Sequence, residues 1–228
     1  MDPIIIGFGY KRRRGKDSAV QAILESRQRT CGVVRYSFAL PLKQEVNQAY
    51  ERLGSWLAVF DYCYDKLGMP MTFAREEQPD MSDPESPYGK QRRLLQWWGT
   101  EYRRAQDPRH WIKYMDQRLA EERPEVVLIS DLRFRNEAVW IIQNHGMVVK
   151  VDRPDYDGPE SHAHTSEYEL DGFEFDAEIS ALSGQMEWLG RQALLVFDAF
   201  FLGRTVEYKP TVSVEVDVPV LEPVEALV

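Results

Sequence analysis

Cysteine is scarce in this sequence, and long apolar runs are missing. The two cysteines, Cys31 and Cys63, lack the spacing of a metal site, and two thiols suit a reducing compartment and exclude a disulfide framework. No stretch approaches the roughly 20 apolar residues that span a bilayer, and the opening MDPIIIGFG has neither the basic start nor the apolar length of a signal peptide. We therefore expect a soluble, cytoplasmic protein with free thiols.

Positive charge is also in deficit. The chain has 28 Lys and Arg against 37 Asp and Glu, which gives a formal net charge of −9. A protein that coats nucleic acid through a general basic surface is therefore not expected, and any anion must be bound locally. Apolar residues make up 43% and aromatic residues 12% of the 228 residues, which predicts one large folded α/β domain rather than a disordered chain.

The stretch GFGYKRRRGKDS concentrates positive charge in this acidic chain. Residues 3–8 form a continuous apolar run, which is typical of a strand covered on both faces of a parallel sheet. Residues 16–28 carry apolar positions at helical spacing. The cations Lys11, Arg12, Arg13 and Arg14 thus lie in the turn between a buried strand and a helix, and we call residues 10–15 the cationic loop.

A strand, a glycine-containing loop and a helix that opens with Gly-Lys are the architecture of a phosphate-binding P-loop. In this interpretation backbone N–H groups of residues 11–18 and the helix N-terminus hold the phosphates of ATP. Gly15 allows close approach, Lys16 reaches the outer phosphates and Ser18 is a magnesium ligand. Two features depart from the standard motif: five residues rather than four separate Gly9 from Gly15, and Asp17 precedes the hydroxyl residue. A surface basic turn is the alternative.

The rest of the chain alternates helical and strand patterns. A strand is predicted over 32–39, and a helical stretch over 42–68 breaks at Gly54. An irregular, proline-rich segment follows over 68–90. Helices are predicted over 90–98 and from the N-cap Asp107 to Pro124, and a βαβ unit over 125–155, whose helix ends at Gly146. A polar segment spans 153–172, a last strand and helix span 176–202, and the valine-alternating tail over 211–228 is expected to be disordered.

Several stretches together resemble the deoxynucleoside monophosphate kinases of bacteriophages, a branch of the P-loop nucleoside monophosphate kinases. The resemblance covers about residues 3–200 and follows the same order. Its segments are GYKRRRGKDS, FALPLK, RRLLQWWGTEYRR followed by WIKY, ISDLRFRNEA, and HTSE after VDRP. The Gly-Lys-Asp-Ser form of the loop is itself similar to what this family uses.

The resemblance implies a three-layer P-loop NTPase fold with a central parallel sheet flanked by helices. It implies one kinase domain over 1–210, with an acceptor-binding insertion at about 54–105 and a lid at about 153–172. The implied activity is transfer of the γ-phosphoryl group of ATP to a deoxynucleoside 5′-monophosphate, with Mg²⁺, to supply precursors for DNA synthesis in the host cytoplasm. ATP and the deoxynucleotide are the expected partners, stable nucleic-acid or membrane binding is not expected, and a homodimer is left open.

The resemblance also implies roles for residues beyond the loop. Asp131 and Arg133 follow a strand at the edge where parallel sheets place ligands, so Asp131 is a candidate magnesium ligand and Arg133 a phosphate contact and catalytic residue. An Asp131–Arg133 turn pair is the alternative. Arg153, at the start of the polar segment, is a further catalytic candidate beside Lys16. The segment expected to bind the acceptor comprises Arg92, Arg93, Gln96, Thr100 and Glu101.

Other residues have two interpretations at this stage. Trp97 and Trp98 either stack on a base or belong to the core. His164, Ser166 and Glu167 match the lid motif of the family, whereas Ser166 and Glu169 fit a capping box of a short helix. Glu137 is interpreted as a solvated partner of Arg133 or Arg135, with a ribose contact as the alternative.

Two other functions remain open from the sequence. The first is a P-loop kinase for a different small acceptor, which would share the ATP site and differ around residues 92–101. The second is a nucleotide-sensing or nucleic-acid-binding module in which the cationic loop holds backbone phosphates.

Overall fold

The computed structural model describes residues 3–73, 78–156 and 164–203. Five parallel strands form one sheet in the order β2-β3-β1-β4-β5. The strands are β1 (Ile4–Gly9), β2 (Val33–Tyr36), β3 (Val126–Leu132), β4 (Met147–Asp152) and β5 (Ala177–Ser180). The tail beyond residue 203 and part of the predicted lid, residues 157–163, lie outside the described residues.

Helices cover both faces of the sheet, so the predicted α/β architecture with a central parallel sheet is confirmed. The helices are α1 (Lys16–Cys31), α2 (Ala39–Leu53), α3 (Trp56–Lys66), α4 (Arg92–Trp97), α5 (His110–Glu122), α6 (Arg135–Gln143) and α7 (Met186–Phe201), with a π-helix (Trp98–Arg104) and a 3₁₀ turn (Thr165–Glu167). None of the helices in the described ranges combines the length and hydropathy that a bilayer span requires.

The core has two layers because most residues of β1, β3 and β4 are apolar and pack on one face of the sheet or the other. One cluster joins the sheet to α1 and α7, and includes Phe8, Ile23 and Phe197. The other joins it to α5 and α6 through residues such as Met115 and Ile141. Continuous apolar strands are buried on both sides in parallel sheets, which is why residues 3–8 were recognisable as a strand.

A third apolar cluster lies apart from the sheet, between α2, α3 and α4. Trp97 and Trp98 are each 5% exposed in this cluster, and the Trp98 indole N–H donates to Glu45 at 2.8 Å. Both tryptophans therefore belong to the core, as one of the two interpretations held. Gly54 ends α2 in a left-handed conformation (φ 83°), which confirms the predicted break.

Two helix-boundary predictions were wrong. Helix α5 begins at His110 rather than at Pro108, because the Asp107 carboxylate accepts the N–H of Arg109 at 2.9 Å in a separate turn. Helix α6 ends at Gln143, and His145 rather than Gly146 takes the left-handed conformation (φ 56°). Gly146 is required for space instead, since a Cβ there would lie 2.5 Å from the Ile5 carbonyl oxygen.

Three strands deliver the predicted site residues to one edge of the sheet. The cationic loop follows β1, Asp131 is the second-last residue of β3, and Arg153 follows β4 directly. Because β1 lies between β3 and β4, these residues meet at the carboxyl ends of neighbouring strands. Open parallel sheets place their ligands at this edge.

Candidate functional site

Two adjoining cavities open at this edge. The large cleft, of about 930 Å³, is lined by the cationic loop, the start of α1 and Arg153. The small pocket, of about 180 Å³, lies between α2, the π-helix and the 3₁₀ turn. The residues that line both cavities are Ala39, Lys43, Lys90, Arg92, Asp131 and Arg133. Four of these six are cations, so the junction of the cavities is suited to bind anions.

The cationic loop is wound by three residues with positive φ: Tyr10 (99°), Arg13 (59°) and Gly15 (100°). Left-handed residues among right-handed ones can turn backbone N–H groups toward a common centre, and the first N–H groups of a helix have no partner within the helix. Gly15 is needed for its conformation and for space, since a Cβ there would lie 2.6 Å from Leu189 Cδ2. These left-handed residues make the loop a candidate for an anion-binding nest.

Lys16 is buried at the base of this loop, with 5% of its surface exposed. Its Nζ donates to the carbonyl oxygens of Tyr10 (3.1 Å) and Lys11. Burial, and after it the nearby charge of Arg133, lowers the pKa of Lys16 to about 7. An anion bound in the loop would raise this pKa again and restore the charge of the ammonium group.

The lowered pKa predicts a pH-dependent stability. Between pH 7 and 10.5 the unfolded chain holds the Lys16 proton and the folded chain does not, so stability should rise with pH, by up to about 1.4 kcal/mol per unit. Below pH 7 Lys16 is protonated in both the folded and the unfolded chain, so the folded protein bears the whole free-energy cost of burying its charge. Urea unfolding at pH 7, 8 and 9 should show this rise in the wild type and a smaller one in Lys16→Met. Equal slopes in the two proteins would contradict the assignment.

Glu167 joins the 3₁₀ turn to the cationic loop. One carboxylate oxygen accepts the backbone N–H of Arg12 at 2.8 Å, and the other accepts Arg133 Nη1 at 2.7 Å. The predicted capping box of Ser166 and Glu169 was wrong, because His164 is the N-cap of the turn and its ring accepts the Ser166 N–H. Glu167 therefore places a negative charge among the cations of the site.

The arginines after β1 and β4 gather around one aromatic ring. Arg13 Nη1 donates to the Tyr156 hydroxyl at 3.2 Å, and the Arg153 guanidinium carbon lies 4.2 Å from the centre of the same ring. Arg14 pairs with Asp152 at 3.2 Å and donates to the Arg153 carbonyl. The Nε atoms of Arg14 and Arg153 are buried without a partner in the described part of the chain. Lys11, at the start of the loop, pairs with Asp171 at 3.6 Å.

Asp131 is held by the connection between β2 and α2. Its carboxylate accepts the Ser37 hydroxyl at 2.7 Å and two backbone N–H groups at the start of α2, at 3.1 and 2.8 Å. The alternative of an Asp131–Arg133 turn pair does not match these contacts, since Arg133 binds the carboxylate of the 3₁₀ turn instead. Asp131 nevertheless lines both cavities at their junction.

Oxygen donors for a divalent cation are present in the large cleft. The Ser18 hydroxyl and the carboxylates of Asp17 and Asp131 line it. Asp17 also pairs with Arg35 and accepts the Ser130 hydroxyl at 3.0 Å. Among the described residues no group of three or more His, Cys, Asp or Glu side chains forms a dedicated metal site. This donor set fits Mg²⁺ held jointly with substrate phosphates, because Mg²⁺ keeps several waters and needs few protein ligands.

The predicted acceptor segment divides between the two sides of α4 and the π-helix. Arg92 is partly buried and lines both cavities, whereas Arg93 is exposed and lines neither. Gln96 and Thr100 line the small pocket. Glu101 faces the 3₁₀ turn, where its carboxylate bonds to the His164 ring at 3.1 Å.

The π-helix explains why this segment departs from simple helical spacing. A π-turn adds a residue to the helical repeat and often occurs at functional sites. Here it brings Gly99, Thr100 and Arg104 to the small pocket, while Arg103 points away and pairs with Glu45 at 2.7 Å. Sequence periodicity gave no signal for this turn.

The favoured interpretation of Glu137 as a solvated partner of Arg133 or Arg135 was wrong, and the alternative of a ribose contact is not tested. It is 1% exposed, it lines the small pocket, and burial raises its pKa. One oxygen accepts Arg104 Nη2, and the other accepts the backbone N–H groups of Arg133 and Phe134 at 2.9 and 3.1 Å. The signal was its position three residues after the turn that starts α6, where a glutamate caps a helix.

Two lysines at the junction were missed. Lys43 and Lys90 both bind Asp83, at 2.8 and 3.0 Å, and Lys43 also binds Glu85. Although burial opposes it, the hydrogen bonds from the two lysines lower the pKa of Asp83 to about 2. These pairs fasten the irregular 78–91 segment over the large cleft, so its many acidic residues have a structural role.

The site belongs to an α/β protein with a cationic loop after the central strand of its sheet. No family model matches the chain. The chain is similar to a protein of Acanthamoeba polyphaga mimivirus named "Putative deoxynucleotide monophosphate kinase", with 25% identity over 179 residues, which cover 73% of this chain and 82% of that protein. This likeness agrees with the kinase family that the sequence resembles. It does not test the resemblance to the bacteriophage branch of that family.

Proposed function

We propose that this protein is a kinase that transfers the γ-phosphoryl group of ATP to a deoxynucleoside 5′-monophosphate. The observation that carries the proposal is the convergence of cations from separate elements on the junction of two cavities. Lys43, Lys90, Arg92 and Arg133 line both, and Lys16 and Arg153 line the large cleft. The similarity to a protein named as a deoxynucleotide monophosphate kinase supports the same activity.

In this proposal the two cavities hold the two substrates. The large cleft takes the triphosphate, with the N–H groups of the cationic loop and Lys16 on its phosphates. The small pocket takes the deoxynucleoside, and Arg92 and Arg133 orient its phosphate at the junction. This arrangement places the donor and acceptor phosphates next to each other, which is the main requirement of phosphoryl transfer.

The chemistry needs little covalent help from the protein. The transition state of phosphoryl transfer is loose, and its charge lies on the equatorial oxygens. Fixed cations that face these oxygens stabilise it more than they stabilise the substrates. Arg153 fits this role, because its guanidinium is held on the Tyr156 ring while its Nε has no partner in the described ranges.

Magnesium would be held by Ser18, with Asp131 as a direct or water-mediated ligand. When bound, the ion supplies positive charge to the β- and γ-phosphates of the donor. The protein's own residues bind the phosphates, and closure of the segment after Arg153 would exclude water that competes as an acceptor.

The direct test is a coupled assay of ATP consumption with each deoxynucleoside monophosphate. We expect ADP formation that depends on the deoxynucleotide and on Mg²⁺, with formation of the matching diphosphate. Consumption with none of the deoxynucleotides would contradict the proposal and favour a kinase for another small acceptor. DNA binding that weakens steeply with salt, without ATP consumption, would favour the nucleic-acid-binding alternative.

A further inference from the structure

The Glu167 carboxylate lies between the two cavities and contacts a residue of each proposed phosphate site. The side chain is partly buried and lines the small pocket. One oxygen accepts the backbone N–H of Arg12, which belongs to the cationic loop and lines the large cleft. The other oxygen accepts Nη1 of Arg133, which lines both cavities at their junction. A single anionic group thus holds one donor on the ATP side and one on the acceptor side.

These two contacts compete with bound phosphate. A backbone N–H has one hydrogen, so a phosphate oxygen that accepts it from Arg12 must take the place of the carboxylate oxygen. Arg133 has further N–H groups, but a phosphate on any of them would lie beside the carboxylate. Two such anions repel each other, and the repulsion is stronger in a partly buried site than in water. Each substrate therefore has a reason to displace Glu167.

The charges around Glu167 are those of an anion-binding position. Burial, and after it the charge of Arg133, lowers the pKa of Lys16, and Glu167 acts in the opposite direction. Burial and the charge of Arg92 likewise lower the pKa of Arg12, and Glu167 again opposes the shift. The carboxylate therefore balances positive charge that the proposed function assigns to phosphates.

We propose that Glu167 couples the two substrate sites, because either phosphate must displace the same carboxylate. Both contacts are made by one rigid group, so a phosphate that expels it from Arg12 also loosens it at Arg133, and the reverse. The first substrate bears the free-energy cost of this release, and the second finds its donor free. ATP and the acceptor then bind with positive cooperativity, which is reciprocal by thermodynamic linkage. This inference rests on the proposed function and makes Glu167 a positioning residue of its site.

Equilibrium binding to the wild-type protein measures this coupling. Isothermal titration calorimetry would give the dissociation constants of dAMP, dGMP, dCMP and dTMP with and without saturating Mg²⁺ and adenosine 5′-(β,γ-imido)triphosphate, an ATP analogue that does not transfer its γ-phosphoryl group. We expect the analogue to tighten binding of the accepted monophosphates by about 5-fold or more, as is usual for coupled sites. The same factor should appear when the analogue is titrated into protein saturated with the monophosphate. A factor of one, or weaker binding with the analogue, would overturn the inference.

A substitution then assigns the coupling to Glu167. Glu167→Gln keeps the shape of the side chain and removes its charge, so each substrate alone should bind about 5-fold or more tighter than it binds the wild type. The affinity for the second substrate should change little, and the coupling factor therefore falls toward one. A residue with a purely structural role gives the opposite result, because its loss weakens binding of the first substrate.

Glu169→Gln is the matched control, since Glu169 lies two residues later and lines neither cavity. Its coupling factor should equal that of the wild type. An unchanged factor in Glu167→Gln, weaker binding of the first substrate, or an equal fall in the control would overturn the assignment.

A second variant, Glu167→Ala, removes both contacts, including a bond that the Gln amide oxygen can still make with the Arg12 N–H. The same fall in the coupling factor is expected, with thermal unfolding as the check that the variant is folded. Monophosphates that bind and are phosphorylated without coupling contradict this inference and leave the proposed function standing. If none of the four monophosphates binds or is phosphorylated, the proposed function itself is contradicted.

Discussion

Replacement of Lys16 by Met should lower kcat by about 10²- to 10³-fold, which is the usual cost of losing one preorganised donor to a charged transition state. Met has a similar shape and no charge, so the variant keeps the packing of a side chain that is 5% exposed. The pKa of about 7 means that the amine is buried at a cost, and we expect the thermal midpoint of Lys16→Met to match or exceed that of the wild type. Steady-state kinetics and thermal unfolding on the same samples test both expectations.

Lys113→Met is the matched control. Lys113 is largely exposed on α5 and pairs with Asp107, so this variant should retain full activity. A Lys16→Met enzyme that works at the rate of the control would show that the cationic loop does not bind the transferred phosphate. If Lys16→Met does not fold, nucleotide binding should be measured with Lys16→Arg instead. That variant keeps the positive charge and adds bulk at a buried position.

Arg153→Met should lower kcat by about 10³-fold or more and change the KM for ATP by much less. Cations that complete a phosphoryl-transfer site contribute 10³ to 10⁵ in rate, because they meet charge that develops only in the transition state. The guanidinium lines the large cleft beside the cationic loop and is held against Tyr156 at 4.2 Å. Single-turnover kinetics with saturating ATP would separate the chemical step from binding and product release.

The control for this variant is Arg109→Met. Arg109 is exposed just before α5, where it pairs with Asp116 at 3.7 Å, and it lines neither cavity. Its replacement should leave kcat unchanged. A rise in KM alone for Arg153→Met would assign Arg153 to ground-state binding and contradict its role in the transition state.

The fold was largely predictable because its buried strands leave a strong signal. The runs IIIGF and VVLI are apolar at consecutive positions, which is typical of a strand covered on both faces. The residues that follow such strands meet at one edge whatever the details of packing. For this reason the sequence could place the cationic loop, Asp131 and Arg153 together.

The small pocket was harder to predict because its polar residues pair across distant segments. Glu137 lies 33 residues from Arg104, and neither residue type is usually buried. The π-helix that turns Arg104 inward changes the helical repeat without a change in composition. The Glu167 carboxylate accepts the backbone N–H of Arg12 in the cationic loop. Such a contact to the main chain requires no particular side chain at its partner, so it leaves no pattern in the sequence.

The topology also sets the order in which the site can be completed during synthesis. β1 leaves the ribosome first, but it lies in the middle of the sheet and pairs with β3 and β4, as in the contact of Ile4 with Val126. The Arg12 amide receives its partner only when residue 167 has been made, and the face of α1 that packs on α7, where Gly190 approaches Ala22, is covered only once α7 has been made. The first strand and helix therefore keep apolar surface exposed during synthesis until nearly all of the described residues have emerged, and exposed apolar surface of this kind favours aggregation.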